Sequence, residues 1–125
     1  MQPPTFDLFA DHEPVQQPRA EQIGEQSWVL RGFALPLTDR LLPALDAVLV
    51  AAPLRHMVTP GGFSMSVGTS SCGQLGWITD RSGYRYSKVD PLSGLPWPEL
   101  PPVFADLAET AAQEAGFSDF KADSC

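Results

Sequence analysis

The tightest constraint on this chain is the tetrad Asp80-Arg81-Ser82-Gly83, set between two strand-forming runs at 75–79 and 84–89. Asp opens a turn by accepting a hydrogen bond from the backbone two residues on, and Gly closes it with a positive φ. The pair reads as a β-hairpin with a four-residue loop. In that register Thr79 faces Tyr84 and Trp77 faces Tyr86. Side chains two apart in a strand share a face, so Trp77, Tyr84 and Tyr86 make one aromatic surface. Just upstream, Phe63, Met65 and Val67 alternate with Ser64, Ser66 and Gly68, after the turn signal Pro60-Gly61-Gly62. That period of two predicts a further strand.

The aromatic surface has two readings. Aromatic residues in strands commonly bury against a core. They also serve as platforms on which a flat ligand such as a nucleobase stacks. Arg81, Arg85 and Lys88 lie close in sequence and suit phosphate contacts. Polar neighbours and a Gly-rich approach suit a loop or lid. Pattern alone leaves both readings open.

The rest of the chain supplies one modest core. Its 125 residues are 43% hydrophobic, which suits a single globular domain. Eight basic residues against fifteen acidic leave a net charge of −7, so any nucleic-acid contact must come from a local cluster. Residues 1–26, rich in Pro, Gln and Glu, read as an irregular arm with Phe6, Leu8 and Phe9 as anchors and His12 exposed. Residues 27–35 read as a buried strand through Trp28, Leu30 and Phe33, with Gly32 marking a bulge. Thr38 reads as the cap of a helix running to about Ala52. Its stripe is Leu41, Leu42, Leu45, Val48, Leu49 and Ala52, which reads as core. Pro43 makes the first turn awkward, and Pro53 ends the helix. Residues 89–102 are proline-rich and cannot hold a regular ladder, so Trp97 and Leu100 are expected to pin this loop to the core. Pro102 opens a last helix with Phe104, Leu107, Ala108, Ala111 and Ala115 inward, and Gly116 follows its end. Residues 117–125 read as a short exit. Helices and strands that do not alternate regularly indicate an α+β chain. Cys72 and Cys125 have no metal-ligand spacing and read as free thiols of a cytoplasmic protein. No signal peptide opens the chain and no apolar run is long enough to span a membrane.

MVTPGGFSMSVGTSSCGQLGW followed by DRSGYRYS resembles the nucleotide-recognition lid of AlkB-type oxidative DNA demethylases. DLFADHEP near the start, DPLSGLPWPELPP and AGFSDFKADSC extend the resemblance over nearly the whole chain. It implies a double-stranded β-helix (jelly-roll) dioxygenase, to which residues 27–125 contribute N-terminal helices, flanking strands and a lid at about 57–89. It implies Fe(II) and 2-oxoglutarate as cofactors of the complete enzyme. The implied partner is alkylated DNA, single- or double-stranded, with RNA as a further candidate, and the complete protein is expected to be a monomer away from membranes. By resemblance Trp77 stacks on the alkylated base, Tyr84, Arg85 and Tyr86 contact phosphates and sugar, and Thr59 and Met65 line the lid. Phe63 and Ser71 depart from the Tyr and Asn of bacterial members.

The family's iron site is His-x-Asp with a distant His, a facial triad of non-heme oxygenases. Here His12 begins His-Glu-Pro and His56 begins His-Met-Val, and the family's Asn-x-Tyr and 2-oxoglutarate-binding Arg residues have no counterpart. The expectation is therefore the N-terminal part of such an enzyme, with no catalytic residue and neither cofactor bound by this chain alone. A non-catalytic nucleic-acid-binding module and an inactive fragment are the alternatives.

Overall fold

The computed structural model describes residues 19–125. Phe6, Leu8, Phe9 and His12 lie outside them. The first described element is a hairpin of β1 (Ala20–Gly24) and β2 (Ser27–Leu30), in which Glu21 pairs with Val29 and Gln22 with Trp28. An ion pair between Arg31 and Glu21 at 2.7 Å crosses it. This differs from the sequence reading in two ways. The stretch expected to be irregular up to Gln26 contains a strand, because pairing with β2 satisfies its backbone. The expected buried strand at 27–35 stops at Leu30 and leaves Trp28 exposed. Gly32, at φ 69°, turns the chain there instead of bulging a longer strand, and a short 3-10 helix, Leu35–Leu37, follows.

Helix α1 spans Thr38–Ala51 and contains Pro43. Thr38 is not its cap: its hydroxyl donates to the Leu35 carbonyl at 2.7 Å, and Leu37 occupies the cap position with no side-chain hydrogen bond. The 3-10 turn thus takes the place of a capped start. Helix α2 spans Pro102–Glu114 and begins, as expected, on proline. It ends in a Schellman closure, with Gly116 donating to the Gln113 carbonyl and Phe117 to that of Ala112. Its buried residue is Val103, while Phe104, Leu107, Ala108, Ala111 and Ala115 are only half-buried.

Strands β3 (Gly76–Asp80) and β4 (Gly83–Ser87) form a second antiparallel pair, separate from the first. Two helices and two two-stranded sheets make the described chain α+β, as its pattern implied. Its core cluster is Ala52, Met57, Ile78 and Trp97, with Met65 and Trp77 packed against it. Trp97 comes from the proline-rich loop. Its indole N–H donates to the Ser87 carbonyl at 3.0 Å, which pins the loop beneath the hairpin. Gly76 allows this approach, since a Cβ there would stand 2.3 Å from the Trp97 ring.

A buried ion pair holds the other side of the loop. Arg55 donates to both carboxylate oxygens of Asp90, one of them at 2.8 Å, and its guanidinium lies 5.1 Å from the centre of the Trp97 ring. Arg55 is 8% exposed and Asp90 2%. The Arg55 hydrogen bonds hold the Asp90 carboxyl below the usual carboxylate range. Asp90 also accepts from the Leu92 amide, which shapes the Pro-rich turn.

The α1 stripe is buried only at its end. Val48 and Ala52 are inside, whereas Leu42 is 55% exposed, Leu45 40% and nearby Leu54 58%. Contiguous exposed apolar surface promotes association. The chain is therefore expected to bind an apolar dye and to sediment faster as its concentration rises. A dye-negative species with concentration-independent sedimentation would contradict this.

Candidate functional site

The β3–β4 hairpin has the register the sequence implies: Trp77 pairs with Tyr86 and Thr79 with Tyr84. Asp80 also pairs with Gly83, so the loop is tighter than expected, with Arg81 and Ser82 alone at its tip. Asp80 accepts from the Ser82 amide at 2.8 Å, and Gly83 adopts φ 115°, a value few side chains tolerate.

Alternation sends Trp77, Thr79, Tyr84 and Tyr86 to one face. The Trp77 and Tyr84 rings lie diagonally across the strands, 5.8 Å apart and inclined by 20°, so they stack. Tyr84 is 63% and Tyr86 65% exposed. Trp77 is half-buried, seated against the core cluster. Thr79 is buried, its amide donating to the Met57 sulfur at 3.4 Å, and its hydroxyl has no hydrogen-bond partner. The face thus has a fixed inner edge and two open rings. Beside it lies a cleft of about 480 Å³, lined by Ser71, Leu75, Trp77, Tyr86, Asp123, Ser124 and Cys125.

Arg85 lies elsewhere. It pairs with Ile78, so it projects from the opposite face, and it grips Asp80 with two hydrogen bonds at 2.8 and 2.7 Å. Those bonds, with the Ser82 amide, lower the Asp80 carboxyl to about 2. The structure therefore separates Arg85 from the tyrosines with which sequence reasoning grouped it.

The expected strand through Phe63, Met65 and Val67 is absent. Instead 57–59 folds back on 63–65 around Pro60-Gly61-Gly62, through Thr59 to the Phe63 carbonyl and Met65 to the Met57 carbonyl, both at 2.8 Å. Arg55 and Thr69 close the base of this loop with reciprocal bonds at 2.9 Å. Phe63 is 76% and Val67 63% exposed. Alternation alone could not reveal this, because the run meets its partner, residues 55–59, only at the isolated antiparallel bridges Val58–Ser64 and Arg55–Thr69 and not in a continuous ladder. Thr59 accepts the Phe63 amide on its hydroxyl and so holds the turn, and Met65 joins the underside of the core. His56 is exposed, with Nδ1 2.9 Å from the Met65 carbonyl oxygen. Among the described residues no group of three His, Cys, Asp or Glu could hold a metal ion, and no helix is long and apolar enough to cross a membrane.

Residues 117–125 do more than exit. Cys72 and Cys125 exchange backbone hydrogen bonds at 2.9 Å, and Gln74 donates to the Asp123 carbonyl, so 123–125 forms one wall of the cleft. Burial, together with the adjacent Cys125, pushes the Cys72 thiol up to about 11, which makes it a poor nucleophile. Sequence reasoning missed this wall and the Arg55–Asp90 lock. The Asp-Pro-Leu-Ser-Gly run signals a turn at Asp90, but nothing in it points to a partner 35 residues away.

The family model described as the 2OG-Fe(II) oxygenase superfamily matches residues 29–125. The chain is 45% identical over 120 residues to the alpha-ketoglutarate-dependent dioxygenase AlkB of Escherichia coli strain K12, an alignment covering 96% of this chain and 54% of that one. It is 47% identical to the AlkB of Salmonella typhimurium with the same coverage. An AlkB homolog of Caulobacter vibrioides is 42% identical over 67 residues, covering 54% of this chain and 30% of the relative. The chain thus spans about half the length of the two relatives that match nearly all of it.

Proposed function

Because the chain belongs to the 2OG-Fe(II) oxygenase superfamily, we propose that it performs base recognition for an AlkB-type dioxygenase acting on alkylated nucleic acid. The observation that carries this reading is the open face of Trp77, Tyr84 and Tyr86 beside its cleft. Two tyrosines about two-thirds exposed are not core packing, and a half-buried Trp77 supplies a rigid ring for a base taken out of its stack. Single-stranded substrate suits the face best, because its bases are already accessible. Thr59 and Met65 shape and seat the loop before the hairpin, and we assign them to the lid on that ground.

In the superfamily, Fe(II) and 2-oxoglutarate supply the oxidative chemistry when bound. The described residues offer no three-ligand set for the metal, and no step of the oxidation is assigned to them. Their part is to bind and orient the base.

Trp77→Ala is expected to weaken binding of an oligonucleotide containing N1-methyladenine by roughly tenfold to a hundredfold, since one base–aromatic stack is worth about 1–3 kcal/mol. Trp77→Phe should keep most of the affinity, because a π-face remains. Melting temperature and dissociation constant are read on the same variants. A large fall in melting temperature with unchanged affinity among folded molecules would instead make Trp77 a packing residue.

A further inference from the structure

The hairpin region carries three cations, Arg81, Arg85 and Lys88, and the structure treats them differently. Arg85 is committed to Asp80 by two short, charge-assisted bonds. The same bonds hold the Asp80 carboxyl low, at about 2, so it carries the charge that offsets Arg85 across the physiological range. Arg81 and Lys88 have no hydrogen bond or ion pair among the described residues, and both are exposed. The Arg81 side chain lies across the turn before the hairpin, where a Cβ on Gly62 would stand 3.1 Å from its guanidinium. Arg81 thus sits at the tip, beyond the Asp80–Gly83 pair and one pair from Thr79–Tyr84. Lys88 follows β4 at the other end, two residues beyond Tyr86.

We propose that Arg81 and Lys88, at the two ends of the aromatic face, are its contacts to the phosphates of a single-stranded nucleic acid, and that Arg85 is a strut closed by Asp80 rather than a phosphate ligand. This rests on the reading of that face as a base-binding surface. Binding a polyanion gains free energy by releasing the cations condensed on it, which needs a protein charge not already neutralised. A phosphate drawn to Arg85 would meet Asp80 as well. The chain as a whole is acidic, at −7, so unpaired cations beside the rings are the local source of attraction. Asp123, on the wall of the cleft next to Trp77 and Tyr86, repels phosphate from the cleft and leaves it to the base.

The test is the salt dependence of binding to a fluorescein-labelled oligothymidylate, read by anisotropy. Each phosphate contact to a single strand adds about 0.7 to the steepness of log affinity against log salt. Arg81→Ala and Lys88→Ala are each expected to reduce the steepness by about 0.7. Arg85→Ala is expected to leave it unchanged. Asp80→Asn keeps the Oδ1 acceptor of the Ser82 amide but removes the carboxylate charge that neutralises Arg85, and should increase the steepness by a similar amount. Circular-dichroism melts check that each variant is folded. A loss of steepness in Arg85→Ala without one in Arg81→Ala would overturn the proposal. Slopes unmoved by any of the four variants, with Trp77→Ala still weakening binding, would overturn it while leaving the base-binding face intact. A wild-type chain that fails to bind even at low salt would overturn both.

Discussion

Asp90→Ala is expected to cost about 3–5 kcal/mol of stability, because it leaves the Arg55 guanidinium buried without its counter-charge. Arg55 keeps a bond to the Pro53 carbonyl and its place over Trp97, but loses both carboxylate contacts. The proline-rich turn also loses the acceptor of the Leu92 amide. Urea denaturation of the variant and wild type gives the difference. Asp90→Asn retains the shape and one acceptor, so it should fall between them and serves where the alanine variant does not fold. A change in Asp90→Ala no larger than that of an exposed ion pair, within about 1 kcal/mol, would show that the lock is not buried in solution. The same pair sets an acid limit. The Asp90 carboxyl binds its proton less readily in the folded chain than in the unfolded one, so its contribution is complete above about pH 4 and fades as pH falls further. In Asp90→Ala that part of the acid sensitivity should disappear.

Trp97→Ala is expected to cost about 3–5 kcal/mol, as for other buried tryptophans. The ring is 4% exposed, contributes to the core cluster, and donates to the Ser87 carbonyl at the end of β4. Gly76 lies directly against it, so Gly76→Ala should itself cost about 1–3 kcal/mol by overpacking. The two losses are not additive. Once Trp97 is truncated, the methyl group of Gly76→Ala enters vacated space, and the double variant should be no less stable than Trp97→Ala alone. Denaturation of the two single variants and the double variant completes the cycle. Strict additivity would mean that the indole and β3 are not in contact.

The hairpin was legible in the sequence almost to the residue. Asp80 and Gly83 impose a local turn, and a turn sets register without help from elsewhere. Both helices were legible for the same kind of reason, since their stripes and their Pro and Gly boundaries act within a few residues. The strand expected at Phe63, Met65 and Val67 failed because a strand exists only by pairing, and alternation does not supply the partner. The buried strand expected at 27–35 failed likewise: its outline depended on β1, whose polar composition gave no sign of pairing. The helix stripe at Leu42 and Leu45 reads as core, yet only its Val48 and Ala52 end is covered.

The candidate site divides along the same line. Alternation across a local turn puts Trp77, Tyr84 and Tyr86 on one face, and that was decided by sequence alone. That the two tyrosines stay open, that Trp77 is seated against the core cluster, and that Arg85 is committed to Asp80 were decided by tertiary structure. So were the wall at 123–125 and the Arg55–Asp90 lock. Turns and helix ends are governed by interactions a few residues long, which a sequence displays directly. Burial and charge pairing depend on which distant segments meet, and residue order alone does not display those meetings.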